Sequence, residues 1–337
     1  MIKDVLDKLL NGIDLEENEA AEAMTEIMDG RASPTQMAAY LVALRAKGES
    51  ISELAGSLRS MRSFMRKVDI GDDTAIDLCG TGGDGKGTFN ISTTSAFVVA
   101  GAGVKVAKHG NRAASSQCGS ADLLEELGVT LTLEPEQVAH CISEVGMGFM
   151  FAPAFHPAMK NVAPVRKELG VRTIFNMLGP LANPAGVTKQ MVGVFNPALM
   201  ENFAHALGRL GGESAVIVHC DGYDEATTTG PVEVALLRSG EVTSIRISPE
   251  ELGLAKSKPE ALTGGTAANN AQITKSILSG EEGPRTDTVL LNSALALYAA
   301  GKIDIVKNGI DMARVSIASG KAINVLNNLV DLSNSFG

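Results

Sequence analysis

Residues able to do chemistry gather at three places in this chain of 337 residues. The first is Gly80-Thr81-Gly82-Gly83-Asp84-Gly85, which follows the short apolar run Ala75-Ile76-Asp77-Leu78-Cys79 and precedes Thr88, Asn90, Ser92 and Thr93. Glycine lets backbone turn sharply and lets amides approach a ligand closely. Three functional readings compete. As GxGxxG the loop would bind a dinucleotide, which needs an acid about 20 residues on to hold the ribose hydroxyls; here the next strand ends at Lys108-His109 instead. As GxxxxGK it is similar to a nucleotide P-loop, but Gly87 stands where the magnesium-binding Ser or Thr belongs. The third reading is a phosphate cradle of another type, with glycine amides facing an anion and hydroxyl and amide donors at the mouth of a helix. A plain strand-to-helix turn is the reading without function.

The second place is Lys108-His109-Gly110-Asn111-Arg112-Ala113-Ala114-Ser115-Ser116-Gln117-Cys118-Gly119-Ser120. It begins with cations at a strand end and finishes with Gly-Ser opening a helix. Lys offers a point charge, Arg a planar fork, and a helix N-terminus free amides, which together suit a doubly phosphorylated substrate. The third place is the pair Asp224-Glu225. A solvated turn is the ordinary setting for such a pair. Its position after the apolar strand Ala215–Val218 favours a cation site, and magnesium keeps its waters and needs only one or two carboxylates. Arg166 could grip a carboxylate bidentately, although Lys167 and Glu168 beside it also suit a surface helix. His109 reads as a proton acceptor or a loop-orienting residue, and His156 before Pro157 as a residue lining an acceptor site. His140, His205 and His219 read as structural or surface residues, and no His pair has metal-ligand spacing.

These loops need elements to hold them. The first seventy residues read as about four helices, with Ser33-Pro34-Thr35-Gln36 and Ser50-Ile51-Ser52-Glu53 as capping boxes and Gly48 as a stop. From Gly71 strands and helices alternate. Strands are expected at Ala75–Cys79, Val104–Ala107, Val129–Leu133, Gln190–Phe195 and Ala215–His219, and helices at Ser92–Ala102, Ser120–Leu127 and Pro197–Leu210. That alternation implies a largely parallel sheet covered on both faces. Arg172–Pro184 looks like a return to the helical unit or a hinge. Val232–Leu237 and Val242–Ile247 read as an antiparallel excursion around Ser239-Gly240, and the last third as mostly helical, including Arg285–Ala300 and Ile310–Leu332.

Composition narrows the function classes. Apolar residues at 45% and charged residues at 20% match an ordinary globular protein with a real core. A net charge of −10, no Trp, 4% aromatics and no long basic run argue against nucleic acid or an anionic membrane as partner. The amphipathic, acid-containing N-terminus is unlike a signal peptide, and no stretch is long and apolar enough to span a bilayer. Cys79, Cys118, Cys141 and Cys220 form no CxxC pair, which argues against zinc and disulfides and fits a reducing cytosol. Glycine, 36 residues in all, exceeds the usual share of about 7% and points to loops that approach a ligand.

In order and spacing, the motifs resemble those of the anthranilate phosphoribosyltransferases. They are Gly80-Thr-Gly-Gly-Asp84, Asn90-Ile-Ser-Thr93, Lys108-His-Gly-Asn-Arg112 with Ala-Ser-Ser116, Gly119-Ser-Ala-Asp-Leu-Leu-Glu125, Phe155-His-Pro157 leading to Arg166, Asn176-Met-Leu-Gly-Pro-Leu-Ala-Asn-Pro184, and Asp224-Glu225 before Thr227. The set covers nearly the whole chain and is specific as a set. The resemblance implies an α/β fold in which a small all-helical domain (1–72 with 163–186) is hinged to a larger α/β domain (73–162 with 187–337) with a central, mostly parallel sheet. It implies a cytoplasmic enzyme of tryptophan biosynthesis that joins anthranilate to 5-phosphoribosyl 1-pyrophosphate and releases pyrophosphate. It also implies a homodimer formed through the helical domains, two magnesium ions, and neither nucleic acid nor membrane as partner.

Carried over residue by residue, the resemblance has Gly80, Gly83, Asp84, Thr88, Asn90, Ile91, Ser92 and Thr93 hold the phosphoribosyl pyrophosphate. Lys108, His109, Gly110, Asn111, Arg112, Ala113, Ala114, Ser115, Ser116 and Ser120 close over it. Gly80, Asn111 and Arg166 bind anthranilate, and Ser92, Asp224 and Glu225 hold magnesium. Cys220 and Tyr223 stand where Gly and Leu are more usual in the family, a departure that bears on pocket packing. No residue is assigned as an obligatory acid or base, because the aromatic amine is already neutral at pH 7 and positioning with leaving-group stabilisation can supply the acceleration. Lys108, Arg112 and Arg166 are expected to form a positive funnel in an acidic exterior. Two rival readings are a pyrimidine nucleoside phosphorylase and a non-enzymatic nucleic-acid-binding relative; the Lys-His-Gly-Asn-Arg stretch argues against the first and the net charge against the second.

Overall fold

The computed structural model describes residues 2–71, 74–113 and 116–336. Four helices open the chain, α1 (Ile2–Leu10), α2 (Glu17–Met28), α3 (Pro34–Lys47) and α4 (Ile51–Ser63). Local chemistry sets their ends. The Ser33 hydroxyl accepts from the Gln36 amide, the Gln36 side chain accepts from the Ser33 amide at 2.9 Å, and Pro34 starts α3 where no amide is needed. Ser50 and Glu53 repeat this at α4. Glu53 does more than cap: fully buried, it accepts from the Leu15 amide at 2.9 Å and pairs with Lys47 at 2.9 Å, tying α3, α4 and the α1–α2 turn together.

The α/β part runs β1 (Ala75–Gly80), α5 (Ile91–Gly101), β2 (Lys105–Gly110), α6 (Ser120–Glu126), α7 (Pro135–Val145), β3 (Met147–Phe151), α8 (Ala152–Phe155), α9 (Ala163–Leu169), α10 (Phe175–Leu181), β4 (Lys189–Gly193), α11 (Met200–Arg209) and β5 (Ser214–His219). Then follow the hairpin β6 (Val232–Arg238) and β7 (Glu241–Ile247), and helices α12 (Ala267–Leu278), α13 (Pro284–Ala299), α14 (Val306–Ala318) and α15 (Lys321–Asn334). The sheet order is β3-β2-β1-β4-β5-β6-β7. β1 to β5 are mutually parallel, and β6 and β7 pair antiparallel at the far edge. The chain leaves β1 toward β2 and β3, then returns to the other side of β1 as β4. That reversal is a topological switch point, and the crevice beyond the carboxyl ends of the strands there is where open α/β sheets bind ligands.

Two apolar cores sandwich the sheet. One face of the strands (Cys79, Val192, Val194, Ala215, Ile217) shares a core with α1–α4, α9, α10 and α11, α11 lying on the strands, while the other packs against α5 and the C-terminal helices. The segment 172–184 thus rejoins the helical unit through Phe175, Leu178 and Leu181.

Two expectations are corrected. Val129–Leu133 forms no strand: its apolar side chains are buried, but the Thr130 amide bonds to Ser333 of α15, and β3 takes the open side of β2. Alternating burial resembled a strand although no sheet edge was free to receive it. The expected helical run Ile310–Leu332 is broken into α14 and α15 at Gly320, whose φ of 74° lies in the left-handed region that suits glycine.

Gly56 of α4 faces the backbone of α2, and a Cβ there would overlap the Glu17 carbonyl. Gly56→Ala gains about 1 kcal/mol of helix propensity but must push two helix backbones apart, which costs about 1–3 kcal/mol or more. A lower urea midpoint is therefore expected; an unchanged or higher one would show that the helices separate freely.

Candidate active site

At the tips of β1 and β4 the turn that follows β5 comes so close that side chains are excluded. Gly80 pairs with Gly193, a Cβ on Gly80 would lie 2.5 Å from Asp224 Oδ2, and one on Gly193 would overlap the Asp224 carbonyl. This packing sets Asp224 and Glu225 against the first loop. Asp224 Oδ2 accepts from the Gly82 amide at 2.5 Å, and Glu225 Oε1 accepts from the Ser92 amide at 3.1 Å, at the N-terminus of α5. Asp84 stands near enough that its charge acts on Asp224, and its own Oδ2 is buried without a hydrogen-bond partner. Burial pushes the Asp224 and Glu225 carboxyls well up, and like charge adds to it, from Asp84 on Asp224 and from Asp224 on Glu225.

Crowded carboxyls that resist ionisation, with an oxygen left over, are a donor set suited to a cation. Among the described residues no three acid, His or Cys side chains already surround a common point, because Asp224 and Glu225 each turn an oxygen to a backbone amide.

The turn carrying the acids is built by residues that read as structural in the sequence. The His219 Nδ1–H donates to the Val194 carbonyl at 2.8 Å, leaving Nε2 to accept from the Gly222 amide at 3.2 Å. Cys220 is buried among threonines, accepting from the Thr227 hydroxyl at 3.1 Å, and Tyr223 lies under the Lys86 ammonium, 4.7 Å from its ring centre. Cys220 and Tyr223 are thus both packed within this turn, Tyr223 directly before Asp224.

The second loop differs from its expectation in charge. Lys108 is 1% exposed and donates to the Leu78 carbonyl at 2.5 Å, with Ser92 Oγ at 3.4 Å. Burial lowers its pKa, against the opposing pull of Asp77, Cys79 and Glu225. Arg112 is held bidentately by Glu125, at 2.6 and 3.0 Å, and also by Asp122. Arg166 on α9 is half-buried with its guanidinium 5.5 Å over Phe175, and burial lowers its pKa. The three cations therefore do not form an open positive funnel: one is sunk, one is neutralised and one is stacked.

The remaining candidates divide by what they can offer. Asn111 and Ser116 are exposed, and the Asn111 carbonyl accepts from the Ser120 hydroxyl and the Ala121 amide. Gly110 leaves room for Ser120 Oγ, which a Cβ would overlap. The Ala113 amide donates to Asp122 at 2.8 Å. Asn90 joins the loops, donating to the Cys118 carbonyl at 3.1 Å and accepting from Asn270 at 2.8 Å. Thr88 bridges to Thr263. Ile91 and Thr93 are buried, so Ile91 can offer a ligand only backbone. Ala114 and Ser115 lie outside the described residues.

Sequence reasoning missed Asp77 and Asn183. Asp77, fully buried in β1, accepts from the His109 amide at 3.2 Å and from Asn183 Nδ2 at 2.8 Å; Asn183 also donates to the Ala107 carbonyl at 2.8 Å. Burial raises the Asp77 carboxyl to about 6, with Lys108 and Asn183 pulling it back. The signal was an acid in the middle of an apolar strand.

His156 was expected near an acceptor site, and the structure joins it to His109, Nε2 to Nε2 at 3.1 Å, with both rings buried. One nitrogen donates and the other accepts, so the accepting ring is neutral and the two rings cannot both be protonated. Burial pushes His109 down to about 3, helped by His156 and Lys108, and His156 down to about 4. Both values lie below the ordinary 6.5, so the unfolded chain takes up protons first as pH falls. The contribution is complete above about pH 6.5 and is lost progressively toward pH 3–4. Asp77, Asp224 and Glu225, all raised, act in the opposite sense over this range, so the pair is read from a difference: relative to wild type, the urea midpoint of His156→Gln should gain as pH falls from 7 to 4, and a difference that stays constant with pH would remove the pair from the acid response.

Comparison with known proteins places this geometry. Residues 3–65 match the helical bundle domain of a glycosyl transferase family, and residues 72–323 match its a/b domain. An anthranilate phosphoribosyltransferase of Symbiobacterium thermophilum is 52% identical, with 96% of each chain covered. The crystal structure of the anthranilate phosphoribosyltransferase from Thermus thermophilus superposes with a TM-score of 0.93 at 47% identity, covering 98% of this chain and 99% of that one. The enzyme from Saccharomyces cerevisiae in complex with PRPP and Mg superposes with a TM-score of 0.90 at 29% identity, covering 99% of this chain and 98% of that one. Matched from end to end in sequence and in fold, the chain belongs to the anthranilate phosphoribosyltransferase family.

Proposed function

We propose that this chain transfers the phosphoribosyl group of 5-phosphoribosyl 1-pyrophosphate to the amine of anthranilate, giving N-(5-phosphoribosyl)anthranilate and pyrophosphate, as a step of tryptophan biosynthesis. The observation that carries the reading is the acid pair Asp224-Glu225, fastened at once to the Gly82 amide and to the N-terminus of α5 at the switch point of the sheet. In the reaction the ribose C1–O bond to pyrophosphate breaks as the amine nitrogen bonds to C1. Positive charge develops on the sugar, and the electron pair of the broken bond leaves with the diphosphate. The resulting ammonium nitrogen is acidic and gives its proton to water, so no dedicated base is required.

The glycine loop and the first turn of α5, whose Gly82 and Ser92 amides are held by Asp224 and Glu225, would lie toward the departing anion, with the dipole of α5 directed at it. Ser92, Asp224 and Glu225, with Asp84 beside them, would hold magnesium, two ions in this reading, whose charge offsets that of the diphosphate. Asn111 and Arg166 would hold anthranilate near Gly80. The Arg166 guanidinium lies 5.5 Å over the Phe175 ring, a contact that would help hold the fork for a bidentate carboxylate. Lys108, locked on the Leu78 carbonyl, contributes a fixed charge beneath the loop rather than a mobile contact.

In the same reading, residues 1–72 with 163–186 move as a helical unit against the rest, and exposed Leu10, Ile13 and Val42 of that unit belong to a homodimer interface. All four cysteines are free, in keeping with a cytoplasmic setting. No described helix is long and apolar enough to cross a membrane.

The direct test follows anthranilate fluorescence with phosphoribosyl pyrophosphate and magnesium. Consumption is expected, and folded protein that leaves anthranilate intact would reject the reading. Arg166→Ala should raise the KM for anthranilate about tenfold to a hundredfold while the KM for phosphoribosyl pyrophosphate moves less than about threefold, as for a lost charged hydrogen-bond pair. Equal changes in both constants would deny Arg166 the acceptor.

A further inference from the structure

Arg172 lies between α9 and α10, and no site motif pointed to it. Its backbone carbonyl accepts from the Arg45 guanidinium of α3, so the helical unit fixes where the residue stands. Its side chain leaves that unit. The guanidinium lies 3.8 Å from the ring centre of Phe195, just past β4, and Nη2 donates to the carbonyl of Gly83 in the glycine loop. The approach is close enough that a Cβ on Gly83 would sit 2.5 Å from Nη2. Arg112, by contrast, spends its charge on Asp122 and Glu125, whereas no carboxylate of the described residues forms an ion pair with Arg172. A cation is thus brought to the loop and left unneutralised.

The contact determines which way a peptide faces. Gly82 and Gly83 have φ of 69° and 73°, and glycine peptides in such a run can rotate between orientations at little steric cost. With the Gly83 carbonyl held by Arg172, the trans Gly83–Asp84 peptide must direct the Asp84 N–H to the opposite side, away from Arg172. A charged donor on the carbonyl also polarises that N–H and makes it a better donor in turn.

We infer that Arg172 is a positioning residue for the phosphorylated donor substrate. It locks the Gly83–Asp84 peptide so that the Asp84 N–H is presented to the diphosphate, and it adds an unpaired positive charge beside it. The inference rests on the transferase reading above. Arg166 and Arg172 stand on either side of Gly170, so one short segment carries the grip on the acceptor and the grip on the donor's loop.

The test compares wild type with Arg172→Ala, Arg172→Lys and Phe195→Leu. In Arg172→Ala the KM for phosphoribosyl pyrophosphate should rise about tenfold or more, the loss expected for a charged hydrogen bond, while the KM for anthranilate changes less than about threefold. Calorimetric binding of magnesium pyrophosphate, which needs no turnover, should weaken in step. Arg172→Lys keeps charge without the fork and should fall between. Phe195→Leu should shift the same constants less, and it keeps the question answerable if Arg172→Ala does not fold. Guanidinium salts at millimolar concentration should partly restore Arg172→Ala. An unchanged donor KM would overturn the inference, and so would a joint rise in both KM values with a lowered melting temperature, which would mark a merely structural tie. Failure of wild type itself to consume anthranilate would fall on the transferase reading instead.

Discussion

The site depends on a close approach of backbones. Gly80 and Gly193 lack side chains on neighbouring strand tips, and the space so left is filled by Asp224 itself, carbonyl and carboxylate both. From that single packing event follow the hydrogen bond to Gly82, the reach of Glu225 to the first turn of α5, and the crowding with Asp84. A residue larger than glycine at either position would move the acids off the loop. The catalytic reading is thus a consequence of strand geometry before it is one of charge.

A second constraint lies beneath the first. Asp77 in the middle of β1 is buried, yet it is fully engaged: by Asn183 from the crossover segment, by the His109 amide at the end of β2, and by the charge of Lys108. A lone buried carboxylate is costly, and one surrounded by donors and a cation fixes the position of everything that satisfies it. Here the satisfied partners are the root of the second loop and the segment that leads from α10 to β4. The interior of the sheet therefore registers the helical unit, the sheet and the loop against one another.

Much of this was legible in the residues. The glycine loop after an apolar strand, the Lys108–Ser120 stretch, the acid pair after β5, the capping boxes at Ser33 and Ser50, and the Ser239-Gly240 hairpin all carry their chemistry in local order, and local order survives folding. What could not be read depends on distant partners. Arg112 looked like a free fork because its acids arrive from α6; Lys108 looked exposed because only the sheet shows it buried; Arg172 had no motif because its partner Gly83 lies across the chain. Val129–Leu133 failed for a related reason: periodicity reports which side chains are buried, not whether a sheet edge is available.

A chain of net charge −10 that handles a polyphosphate and a benzoate is at odds with itself until distance is considered. At physiological salt, exposed charges are screened beyond about 8 Å, so the outer carboxylates contribute little to the crevice. Within it, the relevant groups are short-ranged: the glycine loop, the N-terminal end of α5, buried Lys108, and Arg172, which has no carboxylate partner among the described residues. Asp84, Asp224 and Glu225 oppose them at the same point, and this opposition is useful. Without a cation the acids repel a diphosphate, while the cation they would gather reverses the sign of the site. The choice of substrate is then left to a few residues within one screening length of the strand tips.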